Sequence, residues 1–393
     1  MRRFRLPVRT DRVTRGNFVK KRTLSIAIGA TLAVGASALL LPGANASEDH
    51  KVDGATTAAF GRIADDVLTQ RTAALVDGQQ ERGYNAPQEK KVRLSSGMER
   101  TEGRGVSSLY TRKKRLASLG EAYSNADTKV TTDKTTVKGD RATVEVTETT
   151  VLTYKKVHGD EPGTTGFTSH HTLTFTRGKG GKWELTDLKA QEDGPGAINQ
   201  PQTAPAAPAK DTEGFPKATP ASISWGARPV PKSQKPGGYD YKAMAAYAEK
   251  YWRNYNPQYR SYDAGGGDCT NFISQALRAG GWKDEPGSDS DYRKWWYNSK
   301  AESTSFVGAN EWSWYAMSSK RVTNLKNVYQ MDVGDILQMD FDRDGSKDHS
   351  MIVTYKSRVG IPYMTYHSTN TFRKSLASII ASYPDAVYYA YRT

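Results

Sequence analysis

The sequence predicts an α+β protein of two domains: an N-terminal helix on a curved antiparallel sheet, then a C-terminal domain of helix plus antiparallel sheet. Three observations carry that reading. One apolar stripe of helical spacing precedes alternating strand patterns between residues 56 and 188. A stretch rich in proline and alanine, 194–237, breaks all periodicity. Helical spacing then resumes before four further strand patterns. With 393 residues the chain can bury two cores. A hydrophobic fraction of 37% leaves a good share of it for linker and polar surface and excludes a polytopic membrane protein.

Residues 1–23 hold nine Lys or Arg against Asp11 alone, an apolar run follows over 24–41, and Ala44-Asn45-Ala46 closes it with small residues. That order is the pattern of a secretory signal peptide, 1–46, cleaved after Ala46. The Pro42-Gly43 break favours removal over retention, so the expectation is a secreted, extracellular protein with no stable membrane anchor. Of the formal net charge of +14, the leader's nine positive and one negative residues carry +8, leaving +6 for the mature chain. So mild a charge favours an anionic cell wall as partner and not nucleic acid.

Residues 47–193 read as an accessory α+β domain. Phe60, Ile63, Ala64, Val67, Leu68, Ala74 and Leu75 form one stripe of a helix over 56–76. Ala142, Val144 and Val146 alternate with polar neighbours, and Lys138-Gly139-Asp140 marks a hairpin turn. Phe167, Leu173 and Phe175 share one face of the next strand, and Trp183-Glu184-Leu185-Thr186 follows a Gly-rich turn. By pattern the region resembles the cone-shaped folds of the nuclear-transport-factor type. His170 and His171 are adjacent on a strand, so they point to opposite faces and cannot share a metal. Residues 194–237, with prolines at 216, 220, 229, 231 and 236, read as an extended spacer.

The second domain, 238–393, opens with Met244, Tyr247, Ala248 and Tyr251 on one side of a helix. Six of the eight tryptophans lie in it. Trp282, Trp295 and Trp296 are candidates for stacking on a substrate as well as for the core. Its strand patterns fall at 335–340, 349–355, 362–367 and 386–392.

The single cysteine rules out an intramolecular disulfide. Cys269 follows Gly265-Gly266-Gly267-Asp268 and begins the stripe Phe272, Ala276, Gly280, where Gly280-Gly281 stops the helix. A thiol in the first helical turn, with Asp268 as N-cap, is expected to have a lowered pKa. His349 opens one strand and His367 closes the next. A hairpin centred near Arg358 would set the two imidazoles directly opposite on one face, as a base and its orienting group.

In order, Gly-Asp-Cys-Thr-Asn-Phe-Ile-Ser-Gln-Ala-Leu from 267, Gly-Gly-Trp from 280, Val-Gly-Asp-Ile-Leu-Gln from 333, Asp-His-Ser-Met-Ile-Val-Thr from 348 and Tyr-His-Ser-Thr-Asn from 366 resemble the bacterial putative amidase domain. That domain is similar to the papain-like cell-wall hydrolases of NlpC and CHAP type. The resemblance runs over 239–393. It implies a papain-like fold there, Cys269 as nucleophile and His349 as general base. His367 would be the orienting group, with Asn370 its rival and Asp268 in support. Thr270-Asn271 departs from the NlpC pattern after the cysteine. The implied activity is that of a secreted cysteine amidase or peptidase working through a thioester, with peptidoglycan or another peptide as substrate and no cofactor. The rival readings are a non-catalytic wall-binding protein and a Cys-His acyltransferase.

Asp340-x-Asp342-x-Asp344-Gly345-x-x-Asp348 spaces carboxylates as in a calcium loop, but Met351 stands at the twelfth position and strands flank it. An Asp-Gly hairpin turn is the reading, and a calcium-stabilised turn the alternative. Elsewhere no His/Glu spacing suggests zinc.

Overall fold

Two N-caps start the N-terminal lobe. Asp53 accepts from the Thr56 amide at 2.7 Å and starts α1, Gly54–Ala73, which buries the expected stripe of Phe60, Ile63, Ala64, Val67 and Leu68. Ser95 caps α2, Ser96–Ser118, a helix the sequence reading does not contain. Its inward side carries Glu102, Gly105 and Arg112 among Met98, Leu109 and Leu116, so the apolar period that announces a helix is broken. The computed structural model describes residues 52–78, 83–192, 194–201, 214–232, 238–262 and 267–393; the expected leader lies outside them.

The helices pack on a meander of β2 (Tyr123–Lys138), β3 (Arg141–Tyr154), β4 (Thr164–Arg177) and β5 (Trp183–Ala190), with the short β1 (Val92–Leu94) parallel to β5. The β2–β3 turn falls at Gly139, whose φ of 56° suits glycine. The C-terminal lobe holds α3 (Tyr241–Tyr251), α4 (Cys269–Ala279), α5 (Thr304–Val307) and α6 (Ala309–Ser318), then β6 (Thr323–Leu325) and β7 (Ile336–Asp340). It continues with β8 (His349–Lys356), β9 (Pro362–Tyr366), β10 (Asn370–Ser375), α7 (Leu376–Ser382) and β11 (Val387–Arg392). One face of its sheet packs Ile336 and Ile352 against Met244, Phe272, Trp282, Trp295 and Trp312. The other packs Leu337, Met351 and Met364 against Leu376 and Ile380.

The class is α+β and the sheet largely antiparallel, as expected, but the sheet does not stop at a domain boundary. Strand order is β1-β5-β4-β10-β9-β8-β7-β11-β6, with β5 and β10 sharing one edge of β4. Asn370, Thr371 and Phe372 pair with Thr168, Phe167 and Gly166. A shared core joins Leu109, Tyr123 and Phe167 to Tyr363 and Ala381, and the described residues from 52 onward fall in one compact unit. Nor are the described parts of 194–237 an extended spacer. Ala197, Ile198 and Asn199 are buried, and the Ala221 amide donates to Tyr388 O at 2.7 Å. Asn-Thr-Phe-Arg-Lys-Ser in β10 has no apolar alternation, and an edge pairing made by backbone groups leaves no side-chain signature.

Candidate active site

Asp268 stands at the N-cap of α4, yet its side chain makes no capping bond. It turns instead to His367, with Oδ2 2.7 Å from Nδ1, while Oδ1 accepts from the Tyr262 amide at 3.1 Å and from Asn271 Nδ2 at 2.8 Å. His367 Nε2 lies 2.9 Å from Tyr251 O. A carbonyl only accepts, so that nitrogen carries a proton. Tyr255 and Phe272 stack on the ring, each with centroids 3.9 Å away. Asn370 Oδ1 accepts from the Tyr255 hydroxyl at 2.9 Å, so Asn370 fixes one of these stacked rings and does not reach a histidine itself.

Cys269 is the first residue of α4 and is buried. The Ser350 backbone amide donates to its sulfur, and Thr270 Oγ1 lies 3.7 Å away. Thr270 Oγ1 and Gln338 Nε2 both hold Ser350 Oγ, at 2.9 Å each, which pins the first turn of α4 to β8. Burial pushes the thiol pKa up and the neighbouring Asp268 carboxylate adds to this, while hydrogen bonds from the Ser350 backbone and from the side chain and backbone of Thr270 oppose it. The expected lowering is therefore reversed: desolvation outweighs the helix terminus.

His349 is fully buried, and neither ring nitrogen has a partner among the described residues. Burial holds its pKa down to about 3, with Lys374 and His367 acting in the same direction. The expected pairing with His367 does not form. Ile352 faces Thr365 and Val353 faces Met364, one residue from the expected register. One residue reverses the face. His367 lies with Phe272 of α4, whereas His349 meets Tyr366 edge-on at 5.0 Å on the other side. His349 remains next in sequence to Ser350, whose amide holds the thiol.

Of the candidate substrate aromatics, Trp282 and Trp295 are 1% and 0% exposed and belong to the core, so neither offers a face to a ligand. Trp296 is half-buried. Two serines escape the sequence reading. Besides Ser350, Ser368 accepts from the Asp268 amide at 3.2 Å. Ser368 and Thr369 carry φ of 61° and 63°, a left-handed pair with no glycine to announce it.

The acidic loop closes as a turn. Asp340 accepts from the Asp344 and Gly345 amides at 3.1 and 3.0 Å, and Asp348 from Phe341 N at 2.8 Å. Gly345 has φ 88°. Oxygens of Asp340, Asp342 and Asp348 lie within 4.8 Å of one another, a spacing one cation could bridge, whereas Asp344 accepts from the Ser346 amide. Burial, then the neighbouring carboxylates, push the Asp348 pKa up to about 6.

Residues 238–391 match the model of a family described as "Putative amidase domain". Amide hydrolysis is the activity this match suggests. Two proteins of Bacillus subtilis (strain 168), the uncharacterized YhbB and YjcM, are 34% and 33% identical over 138 and 143 residues. The aligned part is 33% and 34% of this chain, and the chain spans 42% and 32% of theirs. Two crystal structures give weak superpositions. The intermembrane space region of chloroplast protein ARC6 has TM-score 0.23 at 19% identity, over 36% of this chain and 97% of that one. Kfla4162 from Kribbella flavida has 0.20 at 17% identity, over 34% and 90%. Neither carries an argument about function.

Proposed function

We propose that the chain is a secreted cysteine amidase or peptidase that cleaves a peptide amide of the cell wall, and that 238–393 belongs with the papain-like hydrolases. One observation carries this reading. Within the segment that matches the amidase family, the only thiol begins a helix and is held by the amide next in sequence to a buried imidazole that has no partner among the described residues.

In the proposed reaction the His349 ring, which makes no hydrogen bond to the thiol in this structure, swings toward Cys269 and takes its proton as Sγ attacks the amide carbonyl, and backbone N–H groups at the start of α4 are the proposed donors to the developing oxyanion. The imidazolium then gives its proton to the leaving amine. Water, deprotonated by His349, attacks the thioester and releases the acid and the thiol, so the balance is one water added across one amide. No cofactor enters. Asp268 and His367 are positioning residues, because they lock the residue before Cys269 to the turn that follows β9. The leader pattern and the residual charge of +6 favour peptidoglycan as the polymer encountered.

Incubation of the protein with purified peptidoglycan and a soluble amine, read by mass spectrometry, tests the reading. A product heavier by one water, lost in Cys269→Ala and in His349→Ala, is expected. An amine adduct in its place indicates acyl transfer. Binding to the polymer with no new product in any condition overturns the enzyme.

A further inference from the structure

Beyond Leu185 the outer edge of β5 is open. β1 pairs with β5 only at Trp183, Glu184 and Leu185, and the Ser95 amide, donating to Leu185 O at 3.0 Å, ends that ladder. Among the described residues no backbone hydrogen bond reaches 186–190 from that side. The alternation of an antiparallel pair shows which groups are left over. On β4, Leu173 lies opposite Leu188 and His171 opposite Ala190, and the Gln191 amide donates to His170 O at 2.9 Å. Leu188 and Ala190 are therefore the positions that exchange no hydrogen bonds with β4, so their N–H and C=O groups point outward.

The edge is open because the sheet forks. β4 pairs with β5 over 171–177 and with β10 over 166–168. At the fork Glu192 stands in for a strand: Oε1 accepts from the His170 amide at 2.6 Å and Oε2 from Ser169 Oγ at 2.8 Å. The free edge borders a cleft of about 860 Å³, whose other walls include Met98 of α2, Gly194 and Gln200, and Phe341, Asp342 and Tyr383. That volume suits several residues of extended peptide. A Cβ on Gly194 would lie 3.5 Å from His349 Nδ1, so Gly194 stands between the cleft and that ring.

The cleft is acidic in a chain whose net charge is +14: Glu102, Asp187, Glu192 and Asp342 line it against Arg71 and Lys189. Both cations are already engaged, Arg71 with Glu102 at 2.6 Å and Lys189 with Asp187 at 3.0 Å. The start of α2 does not offset the carboxylates, because Ser95 Oγ accepts from the Met98 amide at 3.2 Å. Asp342 Oδ1 accepts from the Asp344 amide at 3.2 Å, which leaves the carboxylate its charge. Outward backbone groups call for an extended chain, and the surplus of carboxylates calls for a cation on it.

We propose that an extended peptide with a cationic side chain docks in this cleft as an added strand on β5, its backbone bonded to Leu188 and Ala190 and its cation facing Asp342 and Glu192. Cys269 does not border the cleft, so the site is a second one and does not rest on the amidase reading.

Isothermal titration calorimetry on the full chain carrying Cys269→Ala, which prevents turnover, tests it with the acetylated and amidated peptide Ala-Val-Lys-Val-Ala. The lysine peptide should bind about tenfold more tightly than the same peptide with glutamate in place of lysine. Leu188→Pro removes an outward N–H without touching the β4 ladder and should weaken binding about tenfold. A probe on the ligand side keeps the test independent of that variant's folding. Methylation of the lysine amide and methylation of the amide of the valine after it should differ about tenfold in effect, because only alternate peptide groups face β5. No heat of binding at millimolar peptide overturns the proposal, as does equal binding of the glutamate peptide. Equal effects of the two methylations, or undiminished binding to a folded Leu188→Pro chain, overturn the added strand.

Discussion

His349 opens β8 and His367, 18 positions on, directly follows β9; they are 0% and 1% exposed and have opposite surroundings. Around His367 everything is occupied: a carboxylate on one nitrogen, a carbonyl on the other, an aromatic ring on each face. Around His349 no polar partner is present among the described residues, and a glycine backbone fills the space. A buried polar group without a hydrogen bond costs free energy that a structural residue would not need to bear. The satisfied ring holds the fold together, and the unsatisfied one is the base in the proposed reaction.

The comparison breaks most visibly in turnover. With a cleavable peptide, His349→Ala should lower kcat by roughly 10³-fold, the scale of lost general acid–base catalysis. His367→Ala should lose much less at saturating substrate once its folded fraction is corrected for; equal losses would erase the distinction. Stability should show the opposite order. His367→Ala leaves Asp268 buried without its partner and should cost about 4 kcal/mol in urea unfolding at neutral pH, against a smaller loss for His349→Ala.

A smaller effect comes from acid. The folded pKa of His349, about 3, lies below the ordinary 6.5, so the unfolded chain takes the proton more readily. The stability tied to its neutral form is complete above pH 6.5 and drains away as pH falls toward 3. Near pH 4.5 the loss should reach roughly 3 kcal/mol. The difference between wild type and His349→Gln in urea midpoints at pH 7.5 and 4.5 isolates it from the carboxylates, and parallel losses in the two proteins would show that the imidazole is not desolvated.

Much of the fold was legible where one face of an element is uniformly apolar, as in α1, β3 and α4, because burial writes its period into the residues. It was hidden where burial is polar. α2 turns Glu102 and Arg112 inward, and Arg71 and Glu102 pair there at 2.6 Å. In the site, residue types pointed to Cys269, His349 and His367, but not to their arrangement. The register slips by one at a hairpin whose strands are buried on both faces, so no alternation specified it. Asp268 prefers an imidazole to the helix it precedes, a choice set by a residue nearly a hundred positions away.

By itself, then, the sequence determined the class, the place of the thiol at a helix start and the chemistry its neighbours could support, since these follow from local spacing and residue type. The tertiary structure alone decided that one sheet runs through both lobes, that burial raises the thiol pKa, and that Gly194 of the supposed spacer covers His349. Backbone pairing, desolvation and long-range contact depend on what surrounds a residue in space, and a linear pattern does not record that.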